Sequence, residues 1–301
     1  GQRIIGVDNF LTGKRSNLDF IIKLSEDSRN AEFEFHEIDV ARFGSLDNLT
    51  EIDYVLHQAA LGSVPRSIKN PLDTHVNNVD SFFNVLLFSA TANIKRLVYA
   101  SSSSVYGDSR DLPKSEGNEG SLLSPYAATK AINEIYAEAF SKTFELETIG
   151  LRYFNVFGPR QDPDGQYAAV IPKWIKSAYE GKPVNIFGDG ETTRDFCYVK
   201  NAVQANLVSA LSTNDDAINQ CFNVACGSQI TLCQLADAIG NELMKVNPEI
   251  AVQKFFKDFR SGDIRHSLAD ITKASNYLGY RPSHDFFDGL SETIEDFIKN
   301  V

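Results

Sequence analysis

Leu97-Val98-Tyr99-Ala100-Ser101-Ser102-Ser103-Ser104-Val105-Tyr106-Gly107 is an apolar run that dissolves into hydroxyls and a turn, and Pro125-Tyr126-Ala127-Ala128-Thr129-Lys130 opens a segment of helical period. The first reads as a buried strand ending in a polar loop, the second as the start of a helix. Working outward, further strands are expected at Arg3–Asp8, Phe33–Asp39, Tyr54–Gln58, Leu97–Ser101 and Thr148–Tyr153. Helical stretches such as Asp73–Ala90 and Pro125–Thr143 lie between them. Strand and helix alternating in this way predict an α/β fold, a Rossmann-type doubly wound parallel sheet covered on both faces. Ligands of such sheets bind at the carboxyl ends of the strands.

After Asn155 the pattern loosens. Gly158-Pro159, Asp162-Pro163-Asp164-Gly165 and Gly188-Asp189-Gly190 are turn clusters, and helices are expected at Val170–Tyr179, Leu232–Met244 and Asp288–Lys299. This half reads as a smaller mixed α/β lobe closing over the carboxyl edge of the sheet. The boundary falls at 155/156, with residues 195–225 returning to the first lobe.

Composition narrows the function. A net charge of −11 and a pI near 5.0 argue against a general nucleic-acid binder or a partner of anionic membranes. A phosphate-bearing ligand remains compatible, because a few local cations and backbone amides hold one. Cys197, Cys221, Cys226 and Cys233 form no C-x-x-C, and no His stands near them at zinc-ligand spacing. They read as thiols in a reducing, cytoplasmic compartment, and no metal site is expected. No apolar run is long enough to cross a bilayer.

Tyr126 and Lys130 are four apart on a helix, so they project from one face about a turn apart. An ammonium favours a nearby phenolate and can bring a Tyr towards general-base duty. Ser102 comes 24 residues before Tyr126, at a strand's carboxyl end, where its hydroxyl can bridge a substrate hydroxyl to the phenol. Strand, serine, then Tyr and Lys on a helix point to coupled proton and hydride chemistry.

With these residues in place the chain resembles the extended short-chain dehydrogenase/reductases, and among them the UDP-N-acetylglucosamine 4-epimerases. Four further ordered segments carry the likeness: His57-Gln58-Ala59-Ala60-Leu61-Gly62-Ser63-Val64-Pro65-Arg66-Ser67, Leu151-Arg152-Tyr153-Phe154-Asn155-Val156-Phe157-Gly158, Gly188-Asp189-Gly190-Glu191-Thr192-Thr193-Arg194-Asp195-Phe196, and Phe259-Arg260-Ser261-Gly262-Asp263-Ile264-Arg265-His266-Ser267. The resemblance implies NAD as cofactor, a UDP-sugar as substrate and a homodimer formed through two helices of the first lobe. It makes Tyr126 the base at the sugar's 4-hydroxyl, Ser102 its bridge, and Lys130 the nicotinamide-ribose ligand. It assigns residues 1–155 to NAD and 156–301 to the UDP-sugar.

Asp8, with Asn9 and Gly13 in the turn after it, would hold the adenosine ribose and favour NAD over NADP. Asp39 and Val40 match the adenine site. Gln58, Ala59 and Ala60 pass the pyrophosphate, and Asn77 and Tyr153 complete the cofactor contacts. For the substrate, Asn155, Arg194 and Arg260 match the diphosphate, a role suited to the Arg donor fork. Asp263 matches the uridine ribose, and Asn185 and Phe187 the uracil. Gly62, Ser103 and Ser267 line the sugar end, and their small size favours an N-acetylhexosamine.

One departure stands out. Members of this family open with a strand and a G-x-x-G-x-x-G turn that holds the pyrophosphate, and no such pattern surrounds Gly1, Gly6 or Gly13. The expectation is a chain that is incomplete at its amino terminus, with a sheet lacking a central strand and weak NAD binding. Dehydratases and decarboxylases of nucleotide sugars carry a carboxylate after the position of Ser102, where this chain has Ser103-Ser104-Val105. The nearer rivals are a UDP-glucose 4-epimerase and a UDP-glucuronate 4-epimerase, the latter using Arg66 or Arg265 for the carboxylate. Outside enzymes, a non-catalytic NAD- or nucleotide-sugar-binding protein is the alternative, and such proteins commonly lose the Tyr or the Lys.

Overall fold

The computed structural model describes residues 2–300 apart from 28–30, 166 and 260–263. Strand β1 (Gln2–Asp8) leads through helix α1 (Arg15–Asp27) to β2 (Ala31–Glu37), which lies parallel to it with Asp8 opposite Glu37. After β3 (Tyr54–His57), the short helices α2 (Val64–Lys69) and α3 (Pro71–His75) precede α4 (Ser81–Thr91) and β4 (Arg96–Ser102). Helix α5 (Pro125–Phe144) then delivers β5 (Thr148–Tyr153). The chain passes through β6 (Val156–Phe157), α6 (Val170–Tyr179), β7 (Val184–Phe187), β8 (Thr193–Arg194), β9 (Cys197–Tyr198) and α7 (Val199–Ala210) before β10 (Gln220–Val224). It ends with β11 (Ile230–Thr231), α8 (Leu232–Val246), β12 (Lys254–Lys257), α9 (Thr272–Leu278) and α10 (Phe286–Lys299).

The sheet runs β10-β5-β4-β3, all parallel, with Ser102 opposite Tyr153. All seven residues of β4 are buried, as an apolar strand covered on both faces requires. Side chains alternate along β5, so Arg152 reaches α5 on one face while the Tyr153 hydroxyl meets Asn206 of α7 on the other. Helix α5 starts where Ser124 Oγ accepts the Ala127 amide at 3.1 Å, with Pro125 in the first turn. The second lobe has its own core, in which Trp174, Ile175, Leu235, Ile239, Leu290 and Ile294 join α6, α8 and α10. Among the described residues, no helix is long and apolar enough to cross a membrane.

Two features differ from the simplest reading. The segment expected as one helix over 73–90 is continuous but not uniform: Val76–Asp80 form a π-helical turn between α3 and α4. The wider turn carries the buried Asn78, whose amide bonds the backbone of Leu61. The second feature is a split in the sheet. The β1–β2 pair has no hydrogen-bonded ladder to β3, and a cleft of about 450 Å³ separates them. Ile5 and Val7 line one wall, Val55 and Leu56 the other, with Leu46, Val85 and Phe88 beneath. Nearby apolar surface is also uncovered. Helix α1 buries none of its described residues and exposes Phe20, Ile21 and Leu24, while α7 exposes Val203, Leu207 and Leu211 at helical spacing. Facing strand edges with apolar walls are what a sheet lacking one central strand leaves behind.

A segment placed ahead of β1 that supplies a parallel apolar strand and an amphipathic helix should fill this cleft. It is expected to raise the thermal midpoint by about 5 °C or more. A Gly/Ser extension of equal length should leave it unchanged; thermal unfolding followed by circular dichroism compares the two.

Candidate active site

Two hollows meet at the carboxyl ends of β1, β3 and β4. The cleft beside β1 is lined there by Asp8, Asn9, Gly13, Asp39, Val40, Gln58, Ala59, Ala60 and Asn77, which brings together most of the residues expected around a dinucleotide. Phe10 donates its amide to Asp8 Oδ1 at 2.6 Å, so the carboxylate is fixed by its own turn. Gly13 lets the chain pass close to Asp8, since a Cβ there would lie 3.0 Å from Asp8 Oδ1. Asp39 Oδ1 accepts the Ala41 amide at 3.0 Å, a second fixed carboxylate beside Val40. The residues present suit the adenosine end of NAD, with Asp8 for the ribose hydroxyls. Gly13 is the one glycine in this lining, so no glycine-rich turn for a pyrophosphate stands here among the described residues.

The second hollow, about 770 Å³, is lined by Gln58, Ala60, Gly62, Ser102, Ser103, Tyr126, Lys130, Tyr153 and Asn155 together with Asn206 of α7. Lys130 is 2% exposed, and its Nζ donates to the Ala100 carbonyl at 2.7 Å. Burial pulls its ammonium down to about 8, and the Glu134 carboxylate pulls the other way. Burial pushes the Tyr126 phenol up, opposed by a hydrogen bond with Ser102. The expected lowering of Tyr126 by Lys130 is therefore not what this state displays: the ammonium is engaged by a carbonyl, and desolvation dominates the phenol. His57, on the neighbouring strand, is held neutral, down to about 3, by burial and then by the Lys130 charge. Tyr153 is pinned in a triangle: its hydroxyl donates to Gln58 Oε1 at 3.0 Å and accepts from Asn206 Nδ2 at 2.7 Å, while Gln58 Nε2 donates to Asn206 Oδ1 at 2.9 Å.

Not all expected substrate residues join this hollow. Asn185 and Phe187 stand on β7 and Arg194 on β8, in the second lobe and outside the lining. Arg194 Nη1 donates to the Thr193 carbonyl at 2.8 Å, and the Ser267 amide reaches the same carbonyl at 3.3 Å, so Arg194 and Ser267 are neighbours. Arg260 and Asp263 lie outside the described residues. Asn155, with φ 34, donates Nδ2 to the Asp195 carbonyl at 3.1 Å and so ties the sheet's edge to the Arg194 segment.

Four site-shaping residues escaped the sequence reading. Asn78 accepts the Leu61 amide at 2.7 Å and donates to the Leu61 carbonyl at 3.1 Å, fixing the strand-end loop that carries Ala59 to Gly62. Asn206 closes the Tyr153 triangle. Glu134 and Arg152 form a bidentate pair behind Lys130, at 2.9 and 2.8 Å. Glu134 was within reach of sequence reasoning, being one turn beyond Lys130 on the same helix face. The two asparagines carried no local signal.

The profile of the NAD dependent epimerase/dehydratase family matches residues 1–225. Among solved structures, the UDP-N-acetylglucosamine 4-epimerase of Methanobrevibacter ruminantium M1, in complex with UDP-N-acetylmuramic acid, is 39% identical with a TM-score of 0.88, over 99% of this chain and 91% of that one. The UDP-glucose 4-epimerase of Thermotoga maritima with UDP-glucose is 32% identical, TM-score 0.88, over 100% and 92%. The UDP-glucuronic acid 4-epimerase of Bacillus cereus, in complex with UDP-glucuronic acid and NAD, is 28% identical, TM-score 0.84, over 99% and 92%.

Replacing Asn78 by Ala leaves both backbone groups of Leu61 unpaired in a buried place. The expected loss is about 2–4 kcal/mol of stability, measured as a lower denaturant midpoint in urea unfolding.

Proposed function

The chain belongs to the NAD-dependent epimerase/dehydratase family, among its UDP-sugar 4-epimerases, and from that premise we propose that it interconverts UDP-N-acetylglucosamine and UDP-N-acetylgalactosamine. The observation that carries this reading is the hollow where Ser102, Tyr126 and Lys130 converge, open at its Gly62 end. A Cβ at Gly62 would meet nothing within 4 Å, and Ser103 in the same lining is small, which leaves room for a 2-acetamido group. The stretch Ser103-Ser104-Val105 offers no acid to expel a hydroxyl, which favours epimerisation over elimination. For a hexuronate, Arg265 is already committed to Asp189 at 2.6 Å, and Arg66 stacks 4.9 Å from the Tyr167 ring.

NAD would be held by Asp8, Asp39 and the 58–60 segment, and when bound it would supply reversible hydride acceptance for C4. The chain's own part is proton handling and orientation. Tyr126 Oη takes the proton of the 4-hydroxyl, with Ser102 Oγ bridging the two oxygens, as the C4–H bond breaks and a 4-keto sugar forms. The diphosphate, held by Asn155 and Arg194, serves as the pivot about which the keto sugar turns. Tyr126 then returns its proton to the oxygen when hydride reaches the opposite face of C4, so that atoms and charge balance over a turnover. Lys130 holds the ribose and supplies the positive charge that favours the phenolate. On this reading residues 1–155, with 195–225, serve NAD and 156–301 serve the UDP-sugar. Two such chains pair through α4 and α5, where Phe83, Ile135 and Tyr136 are exposed.

Incubation with UDP-N-acetylglucosamine, UDP-glucose and UDP-glucuronate side by side, read by product chromatography, tests the reading. The first is expected to be converted fastest, and preferential conversion of UDP-glucuronate would overturn the substrate choice. Tyr126→Phe should lower kcat by about a hundred- to ten-thousand-fold. Ile135→Glu should shift sedimentation from dimer to monomer.

A further inference from the structure

Glu134 is a buried carboxylate that the catalytic scheme does not use. It follows Tyr126 and Lys130 at four-residue steps along one face of α5. Its Oε1 accepts the Ser101 hydroxyl at 2.5 Å and Arg152 Nε at 2.9 Å, and its Oε2 accepts Arg152 Nη2 at 2.8 Å. The two side chains are only 16% and 7% exposed. Ser101 stands between Ala100, whose carbonyl takes the Lys130 ammonium, and Ser102, the partner of Tyr126. Arg152 stands beside Tyr153. One carboxylate thus grips the ends of both strands that frame the site, from the helix that carries the base.

Glu134 sits in a cluster with Arg152, Tyr99 and Cys221, and Glu116 and Lys273 interact with the same cluster. Arg152 is paired with two carboxylates, Glu134 and Glu119, so the trio carries one net negative charge next to the buried Lys130. The other titratable groups beside Lys130 are His57 from β3, Tyr126 on its own helix and Tyr153 from β5. Burial keeps His57 neutral and pushes both phenols up, so none of them offsets the ammonium. The Glu134 carboxylate supplies the countercharge.

We propose that Glu134 is a positioning residue of the catalytic site, holding α5 in register on β4 and β5 and keeping Lys130 in its cationic form. The proposal rests on the reading of Tyr126 and Lys130 as the working pair. Removing the negative charge while keeping the shape, as in Glu134→Gln, leaves Lys130 buried without a countercharge, and it gives up its proton at lower pH. Ser101→Ala cuts one of the hydrogen bonds and changes no charge.

The test is a pH titration of the Lys130 Cε resonance in protein labelled with [13C]lysine, assigned with Lys130→Arg. It is run on the parent chain, Glu134→Gln, Glu134→Asp and Ser101→Ala. Glu134→Gln is expected to lower the Lys130 midpoint by about one unit or more, from Coulomb attraction at an intermediate dielectric. Ser101→Ala should leave the midpoint in place, and Glu134→Asp, which retains the charge, should recover most of the shift. The alkaline limb of the pH–kcat profile should move with the midpoint. An unchanged midpoint in Glu134→Gln overturns the proposal, as does an equal shift in Ser101→Ala. If Glu134→Gln does not fold, Glu134→Asp and Ser101→Ala decide: a midpoint lowered in both to the same extent overturns it. The resonance reports on Lys130 whether or not the chain epimerises a sugar. Loss of the activity reading and loss of this one are therefore separate results.

Discussion

Strand β4 must bury both faces, and that constraint puts the polar groups of the hollow at its last three residues. Along Arg96 to Tyr99 its backbone is flanked by β3 and β5. From Ala100 onward β3 has ended, and β5 remains as its one strand neighbour. Polar backbone that a buried sheet no longer pairs has to find another partner. Lys130 meets that need from α5, and in doing so it is drawn beneath the strand's end. Ser101 and Ser102 then point to opposite sides, one towards Glu134, the other towards Tyr126. Hydroxyls suit this rim because they are small and can donate or accept as the ladder runs out.

A buried carboxylate gathers several segments beside the same rim. Asp195 is fully buried and accepts the amides of Cys226 at 3.0 Å, Gly227 at 3.0 Å and Ala269 at 3.2 Å. These three amides belong to the loop after β10 and to the segment before α9. The Asp195 carbonyl in turn accepts from Asn155 at the end of β5. Arg194 comes immediately before Asp195, and its Nη1 donates to the Thr193 carbonyl at 2.8 Å. A buried carboxylate that lost its amide donors would be left without compensation.

The sequence made the elements of the sheet legible because each is a short apolar run set between polar stretches. Thr148–Tyr153 and Val170–Tyr179 have the bounds expected of them, and the other four expected strands differ by one or two residues at their ends, whereas β6 to β12 were not expected. That Ser102, Tyr126 and Lys130 share one hollow and that Asp8 lines the neighbouring cleft could be anticipated, since these residues belong to local motifs. What was hidden depends on long-range partners. Asn78 pairs with a loop 17 residues earlier and Asn206 with Gln58 across 148 residues, and nothing near either in sequence announces it. The π turn at Val76–Asp80 was likewise hidden, because its apolar residues fit ordinary helical period. Asn185, Phe187, Arg194 and Ser267 lie on two short strands and a loop whose mutual placement no periodicity encodes.

Burial acts on the two central side chains in opposite senses, and this sets the resting state of the site. Desolvation disfavours any charged form, so it pushes the Tyr126 phenol up and pulls the Lys130 ammonium down to about 8. Left to themselves, the two drift towards a neutral phenol and, in mildly alkaline solution, a neutral amine. Proton abstraction from a sugar hydroxyl needs the reverse pairing of phenolate with ammonium. The chain opposes that drift at both groups: the Ser102 hydroxyl favours the phenolate directly, and the Glu134 carboxylate favours the ammonium from behind. Both groups line the hollow, and Lys130 is almost wholly enclosed there. The site therefore keeps its burial and compensates the charge.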